Sequence, residues 1–184
     1  MALTVAAQVA MKASRITTAY QFARRAADLA PMNSYCWSNL LMMQDQLYMF
    51  DACQRSFDKA VRTAKNDDAK GAAYLNLGCM LVNKGDWAEA EPVAREALRL
   101  KPESAKAKAN LGMALLGMGR YQEGWPLYNA VIGFDKSRRK VQYAKEPAWD
   151  GSPGKRLVIY GEQGLGDEIS FASMIPDAIR EAKS

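Results

Sequence analysis

The sequence predicts an all-α solenoid of stacked helical hairpins, and three observations predict it. Four stretches share one register with a period close to 34 residues, so that Gly112 falls 34 residues after Gly78. Small residues, Gly78 and Ala90 among them, recur where the two helices of a hairpin must come together. Helix stops recur as well: Gly85-Asp86 ends one helix and caps the next, and Pro102 closes a second. At 184 residues and 49% apolar content, the chain can bury a sizeable core.

The repeats run in order along residues 1–138, the expected solenoid domain. Residues 1–33 form a slightly truncated first repeat, with Ala19, Ala26 and Pro31 in frame. Residues 34–67 form the second, with Trp37, Leu40, Phe50, Cys53, Phe57 and Ala60. Asp68, Ala69 and Lys70 are inserted before the third, 71–104, whose Tyr74, Leu77, Gly78, Leu81, Trp87, Ala90 and Ala97 fit the frame throughout. The fourth, 105–138, begins well with Leu111, Gly112, Leu115, Gly119 and Tyr121, then decays, with Gly124 where Ala90 stood and Lys136 in place of Pro. Helix pairs are expected at 2–13/17–30, 34–48/51–64, 71–84/87–100 and 105–118/121–133.

This pattern resembles the tetratricopeptide repeat. The resemblance implies that the first helix of each hairpin lines a concave groove and exposes positions 2, 5, 6, 9 and 12 of the repeat. Position 6 is Asn in three successive repeats, Asn39, Asn76 and Asn110. Asn carries two donors and one acceptor, so a row of them can pair with the backbone of an extended peptide without reading its sequence. The row is similar to the asparagine ladder of repeat domains attached to protein O-linked N-acetylglucosamine transferases. The competing expectation is that each Asn bonds its own neighbours. Tyr35, Met42, Leu75, Met113 and Lys106 would complete a mixed apolar and polar lining. The expected partner is a protein or extended peptide, and exposed Asn side chains of this kind would carry little folding energy.

Other function classes recede on composition. Net charge is +5, but Lys136, Arg138, Arg139, Lys140, Lys145, Lys155 and Arg156 cluster in one place. That cluster reads as a solvated linker or, more sharply, as a site for an anionic partner. Nucleic acid is not expected, because no binding motif accompanies the charge. Cys36, Cys53 and Cys79 are odd in number and each falls inside a helical pattern, so they read as small hydrophobes in a reducing, cytoplasmic setting. With no His and no CxxC, no metal site is expected, nor any cofactor. The apolar start, MALTVAAQVAMKASR, lacks a basic leading segment and fits the repeat frame, so neither a signal peptide nor a membrane span is expected.

The period stops after residue 138, and a linker rich in charge and turn formers follows over 139–155. In 156–184, Arg156–Tyr160 reads as a buried strand, Gly161–Asp167 as a Gly-rich turn and Glu168–Lys183 as an amphipathic helix. Strand, turn and helix together would open a doubly wound sheet. Two common phosphate loops fail here: Gly166 is followed by Asp167-Glu168 rather than Lys-Ser/Thr, and Ile169 stands where a dinucleotide fingerprint wants Gly or Ala.

The stretch EGWPLYNAVI, then PAWDGSPGKRLVIYGEQGLGDEISFASMIPDAI, resembles bacterial proteins in which tetratricopeptide repeats lead into a glycosyltransferase-like domain. That domain is similar to the heptosyltransferase family, with its GT-B pair of facing Rossmann-like domains. The resemblance implies Asp167 as general base for an acceptor hydroxyl, with Gly164 and Gly166 letting the backbone approach the acceptor. The plain alternative is that Asp167 caps a helix. Only one βα unit is present, so sugar transfer is not expected of this chain by itself; a longer parent would be the enzyme. A strand at 157–160 with unpaired edges would dock on the last hairpin or pair two chains into a homodimer.

Overall fold

The computed structural model describes residues 2–132, 149–159 and 165–183. The chain divides into two compact units, Met1–Ala130 and Val131–Ser184. The first contains helices α1 (Ala2–Lys12), α2 (Ile16–Leu29), α3 (Ser34–Asp45), α4 (Phe50–Thr63), α5 (Asp67–Lys84), α6 (Trp87–Leu100), α7 (Ala105–Gly117) and α8 (Tyr121–Tyr128); a 3-10 turn at Asn129–Val131 spans the division. Each odd helix packs against the even helix that follows it, and each hairpin packs against the next. The first helices of hairpins two, three and four also touch directly, α3 with α5 and α5 with α7. This is the all-helical repeat stack that the period predicts.

Local chemistry sets most element boundaries. The side chains of Asn33, Asn66 and Ser104 accept from the backbone N–H of Tyr35, Ala69 and Ala107, so each caps the first helix of its hairpin. The Asn66 cap, with Asp67 and Asp68 in the first turn, starts α5 four residues before the expected 71. The inserted residues are therefore helical. Asp86, expected as a cap, makes no capping bond and pairs with Lys84 instead.

Every first helix ends the same way. Ser14, Tyr48, Gly85 and Gly119 occupy one repeat position and have φ of 57°, 56°, 87° and 77°. Glycine takes this left-handed conformation freely, whereas a side chain there costs about 1–2 kcal/mol. Tyr48 is 78% exposed and meets Phe50 only edge-on. Tyr48→Gly is therefore expected to raise stability by about 0.5–1 kcal/mol, after loss of the ring contact. Thermal melting checks it, and an unchanged or lower midpoint contradicts it.

Helix approach differs between hairpins. A Cβ on Gly78 would make ordinary contacts, the nearest at 3.7 Å, so the reading of that glycine as the tightest approach is corrected. The tight approach lies in the fourth hairpin. A Cβ on Gly112 would stand 2.4 Å from the backbone nitrogen of Tyr128, and one on Gly124 would stand 3.0 Å from the carbonyl of Gly112. Gly124, which looked like decay of the repeat, is what lets α7 and α8 come so close.

The second unit contains α9 (Leu165–Ala172) and α10 (Ile175–Lys183). The expected single helix is broken, and Pro176 sits in the first turn of α10, where a missing N–H costs nothing. Residues 149–159 are irregular. Asp150 accepts from both the backbone N–H and the hydroxyl of Ser152, Trp149 donates to the Ser152 carbonyl, and the Gly154 N–H donates to the Ala182 carbonyl at 2.7 Å. The expected strand is not formed over Arg156–Ile159, where Val158 is 68% and Ile159 53% exposed. A strand needs a neighbour to receive its ladder bonds, and no strand occurs among the described residues. Tyr160 and Gly161–Gly164 lie outside the described residues.

Candidate functional site

The face formed by α3, α5 and α7 is where the sequence-derived binding residues fall. Asn39, Asn76 and Asn110 sit one on each of these helices. The Asn76 side-chain amide donates to the Ser38 carbonyl at 2.9 Å, and that of Asn110 donates to the Leu75 carbonyl at 3.1 Å. Ser38 and Leu75 hold the same repeat position, one before the Asn position, so both bonds reach back to equivalent points on the preceding hairpin. Each bond spends one of two amide hydrogens. The second hydrogen and the side-chain oxygen keep their capacity, on a group whose orientation is already set. Asn39 is half-buried and makes no such bond among the described residues.

These bonds revise the expectation of a freely exposed row. Asn110 is only 7% exposed, so it and Asn76 also tie hairpins together. Around them Tyr35 and Lys106 are exposed, while Met42, Leu75 and Met113 are half-buried. Met42 and Met113 reach down onto the core clusters beneath. Tyr35 is held by its hydroxyl, which donates to Asp68 at 2.5 Å, while Lys101 reaches the other oxygen of Asp68 at 2.7 Å. That ion pair, with the tyrosine bond beside it, holds the Asp68 carboxyl below the usual range, and the bond to Asp68 raises the Tyr35 hydroxyl.

A polar group that sequence reading passed over lies beside this row. Asp45, 5% exposed at the end of α3, accepts from the Asn83 amide at 2.8 Å, and the same amide lies 3.8 Å from the Cys79 sulfur. Its repeat position, 12, is among those the resemblance assigned to the groove, which was the available signal. Burial pushes the Asp45 carboxyl above the usual range, against the lowering effect of its hydrogen bonds. Burial also raises the thiols of Cys53, to about 12, and of Cys79, so these two cysteines are inert rather than nucleophilic.

Asp45 carries a pH prediction. Its folded pKa is raised, so the folded state holds the proton more tightly than the unfolded chain does. Its contribution to stability is complete below the unfolded value, about pH 4, and is lost as pH rises through the raised folded value. Asp45→Asn keeps an acceptor for Asn83 without the charge. It is expected to melt higher than the parent at pH 7, with the gap closing as pH falls toward about 4. A gap that widens in acid contradicts this.

In the second unit, Asp167 and Gly166 lie within α9, and a Cβ on Gly166 would meet nothing within 4 Å. Gly164 lies outside the described residues. No group of three or more His, Cys, Asp or Glu poised for a metal occurs among the described residues. No described helix is long and apolar enough to cross a membrane.

Comparison with known proteins agrees with the helical repeat fold. Residues 81–145 match the family model of the tetratricopeptide repeat. The chain is 36% identical over 164 residues to protein FlbA of Caulobacter vibrioides, an alignment covering 66% of this chain and 27% of FlbA. The crystal structure of MamA protein superposes with a TM-score of 0.57 at 16% identity, over 79% of this chain and 78% of that one. The structure of YrrB, described as a TPR protein with an unusual peptide-binding site, superposes with a TM-score of 0.50 at 21% identity, over 73% of this chain and 68% of that one. The two structures share the fold. The chain spans 27% of the length of FlbA.

Proposed function

We propose that this chain, a protein built of tetratricopeptide repeats, is a binding scaffold that holds an extended peptide along α3, α5 and α7. The observation that carries the reading is the pair of equivalent bonds from Asn76 and Asn110 to the preceding hairpin. They fix two amides in repeating orientation while leaving each with an acceptor and one donor. A peptide backbone in extended form presents alternating N–H and C=O groups, which such amides satisfy without regard to its side chains. Tyr35, Met42, Leu75, Met113 and Lys106 would supply the sequence preference, through apolar contact and one cation.

A reducing, cytoplasmic setting belongs to this reading, supported by three cysteines that stand free. Sugar transfer does not belong to it. The role of Asp167 as general base rests on resemblance alone, and the relatives named above add nothing to it. The homodimer through a strand at 157–160 is likewise set aside, because that strand is not formed over its described part.

The test is to select peptides from a displayed random library and titrate one into isotopically labelled protein. The side-chain amide resonances of Asn39, Asn76 and Asn110 are expected to shift together, while those of Asn33 and Asn66, which cap helices, stay still. Shifts confined to the second unit contradict the reading.

A further inference from the structure

We propose that the peptide held by this scaffold carries a basic side chain, lysine or arginine, that pairs with Asp45. The proposal rests on the reading of α3, α5 and α7 as the peptide-binding face. Asp45 is the one buried carboxylate among the described residues, 5% exposed. An acid is seldom buried without a cation beside it. More exposed acids of this chain have theirs: Asp68 pairs with Lys101, Asp86 with Lys84, and Glu91 with Arg95 and Arg120. Asp45 makes no ion pair among the described residues, and the side chains that hydrogen-bond to it, Asn83 and Gln46, are neutral amides.

Its place in the chain sharpens the contrast. Asp45 is the last residue of α3, where a helix concentrates negative partial charge, and that last turn holds no basic residue. The repeat frame does not ask for an acid there. The equivalent residues are Met11, Val82 and Leu116, all apolar. The fold therefore has no need of a charge at this position. Neighbouring groups put that charge at the binding face. Asn83, which donates to Asp45, is exposed, and Cys79 on the same helix is acted on electrostatically by both Asp45 and Lys106. A basic side chain of the peptide supplies the cation that the chain itself does not, in surroundings where an ion pair is stronger than in water. The Asn amides then hold the peptide backbone, and Asp45 selects the side chain that lies against the end of α3.

Peptides selected on the parent chain from a displayed random library test the proposal. They are expected to share a lysine or arginine at one position. Replacing that residue with glutamine is expected to raise the dissociation constant about tenfold on the parent chain. On Asp45→Asn, which keeps an acceptor for Asn83, the same replacement is expected to change it by about twofold at most. If Asp45→Asn does not fold, Asp45→Leu decides, being the side chain of the equivalent Leu116. Equal effects on parent and folded variant overturn the proposal, as do selected peptides that share no basic residue. If such peptides still shift the Asn39, Asn76 and Asn110 amide resonances, the scaffold reading stands and this inference alone fails. A library without binders, or binders whose shifts are confined to the second unit, overturns both.

Discussion

Gly112→Ala is expected to destabilise the repeat unit by about 2–3 kcal/mol, while Gly78→Ala is expected to leave it unchanged or raise it by up to about 1 kcal/mol. Both glycines hold the same repeat position, and the two substitutions add the same atom. The difference is what that atom meets. At Gly112 it would lie 2.4 Å from the Tyr128 nitrogen and 2.8 Å from the Tyr128 Cα, so α8 has to move as a backbone. Side chains can turn aside; a helix backbone cannot without breaking other contacts. At Gly78 the nearest atoms are 3.7 Å away, and alanine's better helix propensity is then free to act. Melting midpoints should separate accordingly, Gly112→Ala falling by roughly 5–10 °C. Equal effects at the two sites would mean that the fourth hairpin is not the tighter one.

Much of this fold is legible in the sequence because hairpin stacking imposes its own spacing. The 34-residue register places α1 to α7 within a few residues, since small residues and helix stops must recur wherever two helices meet. Departures from the register were harder to read. Gly124 breaks the pattern by one methyl group, and only the position of the α8 backbone shows that the missing atom made room. Ser14 and Tyr48 share the left-handed turn of Gly85 and Gly119, but neither residue type announces that conformation. The tail failed for a different reason. Arg156–Tyr160 has the composition of a strand, and composition cannot supply the neighbouring strand that a ladder requires. At the candidate site, the Asn positions were visible as a repeat. Their bonds to Ser38 and Leu75 were not, because those depend on how closely successive hairpins stack.

Replacing Asn39, Asn76 and Asn110 together with Ala is expected to act on both stability and binding, in separable amounts. Asn76 and Asn110 each lose one partly buried bond to a carbonyl, costing about 1 kcal/mol apiece in stability, and Asn39 loses none. The unit keeps its fold, because the Ala, Leu and Met cores beneath are untouched. A bound peptide would lose up to three backbone hydrogen bonds, about 3 kcal/mol, which is roughly a hundredfold in dissociation constant. Asn39→Ala separates the two effects, since it should weaken binding without lowering the melting point. The decisive measurement is a calorimetric isotherm for a library-selected peptide on Asn39→Ala, beside the parent chain and with the melting curve of each. A dissociation constant raised roughly fivefold at an unchanged melting midpoint is the expected result. Unchanged affinity in Asn39→Ala and in the folded triple variant would place the peptide elsewhere and leave the Asn row with a purely structural role.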